Sequence, residues 1–551
     1  MNWETKTDVG GFRIRWSAEV AARYLAEGHF RNETLTAIAR QAVETDPTRV
    51  LLAEGEQQIT RGQAWETALR LAHYLLERGI RPGDVVSYQL PNWSEATLIS
   101  LAARMIGAVI NPIPPIYREA ELGYILKDCR SRLLFAPELF RKHNYQSMLH
   151  SMRSNLPDLR EVVTVRGAGA VTWADATAHA PIADSALPKV DPASVMMVMY
   201  TSGTTGRPKG VLHTHYGYDY RVRSMGEAWS IGPQDTLFMP SPLTHITGAF
   251  WAVDMPWVRD TSAVLLDVWT AASGMDCIAR HHCTVSGGAT PFLQQILAVA
   301  AHTPESLASL RLFFCGGTTV SPELISQASQ AFPHCLFFRA YGSTEVPTAS
   351  LGIRSRSQSY YGAHTDGQIV YPTEIKLISS QTGAPVADGE EGEILARGPE
   401  QFVGYIDATD NRDAFDQEGY FHMGDLGERV AGEFLVVTGR KKDIIIRSGE
   451  NISPKEVEDI LFTHPAVAEI AIVAMPSAST GEKGCAFVIP TPGSSVDLPL
   501  LTAFLRTTGL ARQKYPEHLV LMEDLPRVAS GKVRKDQLRK LAQEIAAQEQ
   551  T

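Results

Sequence analysis

Apolar and polar residues along this chain alternate between two periods. Over 61–80, Trp65, Ala68, Leu69, Leu71, Ala72, Leu75 and Leu76 recur at helical spacing, which predicts an amphipathic helix. Arg81-Pro82-Gly83-Asp84 interrupts that pattern, and Val85 to Leu90 then reads as a strand. A helix over about 94–107 leads into Ala108-Val109-Ile110 and stops at Pro112, Pro114 and Pro115. Strands joined by crossover helices are the pattern of a parallel sheet. The unbroken apolar run from Ser194 to Tyr200 predicts a buried strand. From about 367 to 440, Gly-rich turns separate short strands and predict a smaller, β-rich unit. Beyond Ser453 the expected order is a helix (about 453–462), a strand (466–474), a helix (498–508), a strand (518–523) and a helix after Val533. The expected fold is α/β: α/β subdomains and the β-rich unit over residues 1–440, then a small α+β domain over 441–551.

Composition narrows the classes. With 551 residues, 44% hydrophobic and 20% charged, the chain is globular and too long for a single core. A net charge of −10 speaks against a broad basic face for nucleic acid. The cysteines at 129, 277, 283, 315, 335 and 485 are scattered without a CxxC pair, and are read as reduced thiols of a cytoplasmic protein. Charged residues interrupt the first stretch, Met1 to Ser17, which argues against a secretory signal. No apolar run reaches the length of a spanning helix. His281-His282-Cys283 and His213-Thr214-His215 lack a second ligand pair and are read as packing.

After the strand ending at Tyr200 comes Thr201-Ser202-Gly203-Thr204-Thr205-Gly206-Arg207-Pro208-Lys209-Gly210. Glycines let the backbone approach an anion, hydroxyls add donors, and Lys209 adds a charge, so the run suits a polyphosphate. It is not a Walker A loop, because no GxxxxGK[ST] is present. On composition alone, a flexible surface turn fits equally well.

This run resembles the signature loop of the adenylate-forming superfamily, which comprises acyl-CoA synthetases, peptide-synthetase adenylation domains and luciferase. Other segments similar to that superfamily follow in the same order. They are Tyr341-Gly342-Ser343-Thr344-Glu345, Tyr420 to Gly427, Gly439-Arg440-Lys441-Lys442-Asp443, Arg447 to Glu458, and Pro526-Arg527-Val528-Ala529-Ser530-Gly531-Lys532. The resemblance implies that ATP or AMP is held by Thr201 to Gly206, Lys209, Gly316-Gly317-Thr318 and Tyr341 to Thr344. Asp425 would accept from the ribose hydroxyls, Arg440 would donate to ribose or phosphate, and Glu345 would be the Mg²⁺ ligand. Lys532 would offset the repulsion between carboxylate and α-phosphate during adenylation. Lys442 would be the hinge of a mobile C-terminal domain, and Ser448, Gly449, Glu450 and Asn451 would line a CoA channel.

Met239 to Gly248 resembles the superfamily's motif at the mouth of the acid site, which gives His245 a gating or carboxylate-contacting role. Ile246 stands where siderophore-pathway aryl-acid ligases carry asparagine, which argues against dihydroxybenzoate or salicylate. Tyr117 to Leu122, Gly288 to Phe292, Phe314 to Thr319 and Lys514 to His518 are similar to bacterial short- and medium-chain acyl-CoA synthetases and to cyclohexanecarboxylate-CoA ligases. Expected pocket residues are His245, Thr247, Gly248, Trp251, Gly288, Phe292 and Val346. Ser448 stands where some relatives carry a lysine used in the second half-reaction. The short tail after Lys532 leaves no room for a carrier domain, so the acceptor is expected to be separate. The implied reaction joins an apolar acid to CoA through an acyl-adenylate, with a carrier protein or an amine as the alternative acceptor.

Overall fold

Two large, mostly parallel sheets dominate the computed structural model, which describes residues 2–201, 207–300, 304–317, 320–528 and 531–549. The first has six strands in the order Glu161–Val165, Leu133–Pro137, Val85–Tyr88, Val109–Pro112, Val195–Thr201 and Lys209–Thr214. Its strands run parallel except the last, which returns antiparallel to Val195–Thr201 as a hairpin arm. The second has seven: Leu336–Ala340, Leu312–Gly316, Val285–Gly288, Thr236–Phe238, Ser262–Leu265, Val50–Glu54 and Gln57–Thr60. Here too only the final edge strand is antiparallel. Strands buried on both faces need no polar alternation. Val195 to Tyr200 is accordingly buried throughout.

The helix expected over 61–80 is Arg61–Glu77, started by a Thr60–Gln63 capping box in which the Thr60 side chain accepts from the Gln63 amide. Its Ala64, Ala68, Leu71, Ala72 and Leu75 join the main core together with Phe135, Ile110, Met197, Trp229, Trp251 and Phe314. A four-stranded antiparallel sheet, Glu374–Ile378, Gly392–Arg397, Phe421–Val430 and Phe434–Arg440, makes the β-rich unit.

The last sheet has five strands. Gly481–Pro490 lies at its centre, antiparallel to Val467–Ser477 and parallel to His518–Leu521, with Ile445–Arg447 and Glu450–Ile452 alongside. That central strand is absent from the elements expected from sequence. Its opening Gly481-Glu482-Lys483-Gly484 reads as a turn, and only pairing with a distant partner extends it. The helices Pro454–Leu461, Leu498–Thr507 and Lys535–Glu549 pack around this sheet. Among the described residues no helix is long and apolar enough to cross a membrane. No group of three or more His, Cys, Asp or Glu side chains among them is arranged to hold a metal.

Candidate active site

Three adjacent parallel strands of the seven-stranded sheet end side by side at Gly288, Gly316 and Ala340. The carboxyl ends of such strands are where α/β sheets hold ligands, and here they form one wall of a cavity. Gly316 lets the two strand ends approach closely, because a Cβ there would lie 2.5 Å from the Ala340 carbonyl oxygen. A Cβ on Gly287 would stand 2.1 Å from the Phe314 ring, so its absence lets that ring lie across the strand end. The facing wall comes from the helix His215–Ala228 with Trp229 at its end, and from the buried π-helical turn Ala249–Asp254. These supply Met225, Trp229, Phe250 and Trp251. Such wide turns are frequent at functional sites. This one is anchored at its end by a buried Arg104–Asp254 ion pair.

His245 caps the short helix Ile246–Gly248, and its Nδ1 accepts from the Thr247 amide at 3.3 Å. The ring proton therefore sits on Nε2. Burial, then the Lys532 charge, pulls this imidazole down to about 3. A neutral ring with one N–H to offer results.

Lys532 enters the same cavity from the C-terminal unit. Its turn closes through the Val528 amide donating to the Lys532 carbonyl and the Gly531 amide donating to Val528, both at 2.9 Å. The turn seats against the larger unit: Cβ atoms built on Gly317 and Gly531 would lie 3.7 Å from Lys532 Cε and 3.9 Å from Pro291 Cγ. Among the described residues the amine has no hydrogen bond or ion pair. Desolvation, then the nearby Arg440 charge, pulls it down to about 8, against the opposing pull of Asp425 and Glu345.

On the nucleotide side, antiparallel register sets Asp425 opposite Arg440. Arg440 Nε donates to Asp425 Oδ1 at 2.9 Å, and Tyr341 Oη donates to Oδ2 at 2.6 Å. The carboxylate is only 4% exposed, and burial followed by its charge raises the Tyr341 phenol well above the usual range. Tyr341 thus remains a donor. Glu345 Oε1 accepts from Tyr405 at 2.8 Å, while Oε2 has no partner among the described residues. His213, which burial holds neutral at about 4, donates from Nε2 to the Thr344 carbonyl at 2.8 Å.

Thus His245, Thr247, Trp251, Gly288, Gly316, Gly317, Tyr341, Gly342, Ser343, Thr344 and Lys532 line one cavity. Thr201 ends its strand opposite Lys209; Ser202 to Gly206 and Thr318 lie outside the described residues. Four of the expected residues, Lys209, Val346, Phe292 and Gly248, do not line this cavity. Lys209 is off the cavity, its ammonium 3.1 Å from Asp410 and 4.9 Å from the centre of the Tyr405 ring. Val346, fully buried, turns into the core of the β-rich unit beside Ile375, Phe402 and Tyr405. Phe292, whose ring lies behind Gly288 and edge-on to Trp269 at 4.8 Å, and Gly248, which backs onto the Pro242 carbonyl, are not among the residues lining the cavity. Lys442 is exposed in the turn Lys441–Asp443 between the third and last sheets. Ser448 to Asn451 form an exposed hairpin end away from the cavity. Met225, Trp229 and Tyr405 lie outside the motifs and were not among the expected site residues, and His213 was expected only to pack.

The chain matches the family model described as AMP-binding enzyme over residues 39–406, and that of the AMP-binding enzyme C-terminal domain over residues 456–532. It is 34% identical over 544 residues to a medium-chain fatty-acid–CoA ligase of Escherichia coli (strain K12), covering 97% of this chain and 95% of that protein. A salicyl-AMP ligase / salicyl-S-ArCP synthetase of Mycobacterium tuberculosis is 31% identical, over 96% of this chain and 94% of its own. The solved structure of ATP-bound MatB from Rhodopseudomonas palustris matches with a TM-score of 0.82 and 26% identity, over 93% of this chain and 100% of that one. Strand-end cavity, converging motifs and full-length relatives agree: the chain belongs to the AMP-binding enzyme family and is an adenylate-forming ligase.

Proposed function

We propose that this ligase joins an apolar short- or medium-chain or alicyclic carboxylic acid to CoA in two steps. The observation that carries this reading is the uncommitted Lys532 amine in the lining of a cavity walled by Phe250, Trp251 and Phe314, with His245 beside it. In the first step a carboxylate oxygen attacks the α-phosphorus of ATP, the bond to the β-phosphate oxygen breaks, and pyrophosphate leaves. Lys532 stabilises the two approaching anions and the charge growing on phosphorus. His245 Nε2–H orients the carboxylate. Asp425 and Arg440 hold ribose, and the Tyr341 to Thr344 segment lies along the adenine and α-phosphate. Glu345 suits a hard divalent cation, with a carboxylate oxygen free to coordinate. Mg²⁺ held there would neutralise part of the triphosphate charge.

In the second step the CoA thiol attacks the acyl carbon, the anhydride C–O bond breaks, AMP departs and the thiol proton is released. The C-terminal unit, taken as 441–551, turns about Lys442 to withdraw Lys532 and bring Ser448, Gly449, Glu450 and Asn451 to the cleft. The similarity to a medium-chain fatty-acid–CoA ligase supports CoA as acceptor.

A panel of monocarboxylic acids tests the reading through pyrophosphate release, with mass spectrometry of the products formed with CoA, a carrier protein or an amine. Acyl-CoA as the main product is expected. An amide or a loaded carrier formed in preference to thioester would replace CoA as the acceptor, and no pyrophosphate with any acid would remove the adenylation itself.

A further inference from the structure

We infer that Trp229 is the end-stop of the acid pocket and restricts this enzyme to short, uncharged carboxylic acids. The inference rests on the reading of the cavity as the acid site and deepens it.

Trp229 terminates the helix His215–Ala228, is only 3% exposed and lines the cavity. Its ring lies nearly parallel to Trp251 (5.4 Å, 17°) and Phe314 (5.3 Å, 26°), and those two stack on one another (4.9 Å, 19°). Phe338 packs on it at 5.1 Å. The indole Nε1–H donates to the Leu351 carbonyl at 2.8 Å. Swinging the ring aside would break a buried hydrogen bond and the stacking contacts together. It is therefore a fixed wall, unlike the neighbouring Met225, whose unbranched chain adapts.

The lining also selects by charge. Lys532 is the one charged side chain among the described lining residues, and it stands at the reacting end beside a neutral His245. A second carboxylate, a sulfonate or an ammonium on the acid's tail would be desolvated with no opposite charge to meet it. The cavity volume is about 90 Å³. One water needs ~10–15 Å³ of such volume, so the whole cavity, including the side lined by Tyr341 to Thr344, holds roughly six to nine non-hydrogen atoms.

The test measures pyrophosphate release with unbranched acids from acetic to myristic, and with succinic and glutaric acids, for the native enzyme, Trp229→Leu and Trp229→Phe. The native enzyme is expected to peak among the short acids and to lose ~10-fold or more in kcat/KM for each methylene beyond the limit. Succinic and glutaric acids should remain near background. Trp229→Leu should move the optimum several methylenes longer while losing activity on the shortest acids, and Trp229→Phe should move it less. Melting with and without ATP checks that each variant folds. Should Trp229→Leu not fold, Trp229→Phe, which keeps an aromatic ring in the stack, carries the same test with a smaller shift. An unchanged chain-length order in the folded variants, at whatever overall rate, overturns the role of Trp229 alone. Dicarboxylic acids used as well as butanoic acid would overturn the charge selection. A native enzyme that releases no pyrophosphate with any acid overturns both this inference and the function beneath it.

Discussion

The Tyr405 phenol donates to Oε1 of Glu345 at 2.8 Å, and the Phe402 amide holds the Glu345 carbonyl at 2.8 Å. The β-rich unit thereby fixes the direction of a carboxylate that belongs to a different sheet's loop. Residues 404 and 406 bond with the strand Lys209–Thr214, which brings Tyr405 to that position. A hydrogen bond to a charged group contributes about 1.5–3 kcal/mol. Tyr405→Phe should raise the Mg²⁺ concentration needed for half-maximal pyrophosphate release by about ten-fold or more, with Glu345→Gln more severe. An unaltered Mg²⁺ dependence in Tyr405→Phe would separate the two residues functionally.

Removing the Lys532 amine should act on one half-reaction. Lys532→Ala is expected to lower acid-dependent pyrophosphate release by roughly 10²–10³-fold, the loss typical of one preorganised charge stabiliser. Thioester formation from supplied acyl-adenylate should largely persist. Stopped-flow measurement of each half-reaction distinguishes this from general damage, which would depress both.

The same amine sets a pH limb. Desolvation and the Arg440 charge hold it at about 8, so the ammonium form declines as pH rises through that value. For the adenylation half-reaction, kcat/KM, which reports the free enzyme, should fall above about pH 8. Lys532→Arg keeps its charge and should lose that limb even if slower overall. A limb retained in the arginine variant would assign it to another group.

Besides His245, two buried imidazoles make the fold sensitive to acid. Burial, with the Arg104 charge adding to it for His215, holds His213 at about 4 and His215 at about 3. In the unfolded chain both titrate near 6.5. The unfolded state therefore binds more protons below that pH, and the stability present at neutral pH is lost as pH falls from about 6.5 toward 4. Each group contributes up to ~1.4 kcal/mol per pH unit in that window. Urea midpoints at pH 7.5 and 5.5 should differ accordingly, and His213→Leu should reduce the difference. Identical midpoints would mean that these rings do not remain neutral in the fold.

Arg104 and Asp254 form an ion pair buried on both sides. Breaking it by Asp254→Ala should cost about 3–5 kcal/mol, read from chemical denaturation. Arg104→Met combined with Asp254→Leu should recover much of that loss, because no charge is then left buried. Since Asp254 ends the turn that carries Phe250 and Trp251, the single variant should also blur acid preference in the same panel.

Family and fold class were legible because they rest on local signals. The helical period over 61–76, the apolar run into Tyr200 and the ordered motifs from Thr201 to Lys532 need no knowledge of distant contacts. The partners were less accessible. His213 meets Thr344 across 131 positions and Tyr405 meets Glu345 across 60. Nothing in the surroundings of either residue distinguishes it from a packed aromatic or imidazole. Val346 was expected in the pocket as the end of the wall stretch Tyr341 to Val346. The chain bends at 344–346, with the Val346 amide donating to Ser343 Oγ, and that bend turns the Val346 side chain into the neighbouring core. Lys209 was expected at phosphate because it closes a glycine-rich loop, while Asp410, far along the chain, claims its ammonium. The strand Gly481–Pro490 exists through pairing, which overrides the turn-like composition of its first residues.

Trp229, Trp251 and Phe314 belong at once to the cavity wall and to the main core between the sheets. A lineage drifting toward a new acid must therefore disturb the same side chains that keep its architecture intact. Divergence of taste in such a scaffold is gated by spare thermal tolerance, and descendants that first accumulate reinforcing substitutions elsewhere are the ones free to explore.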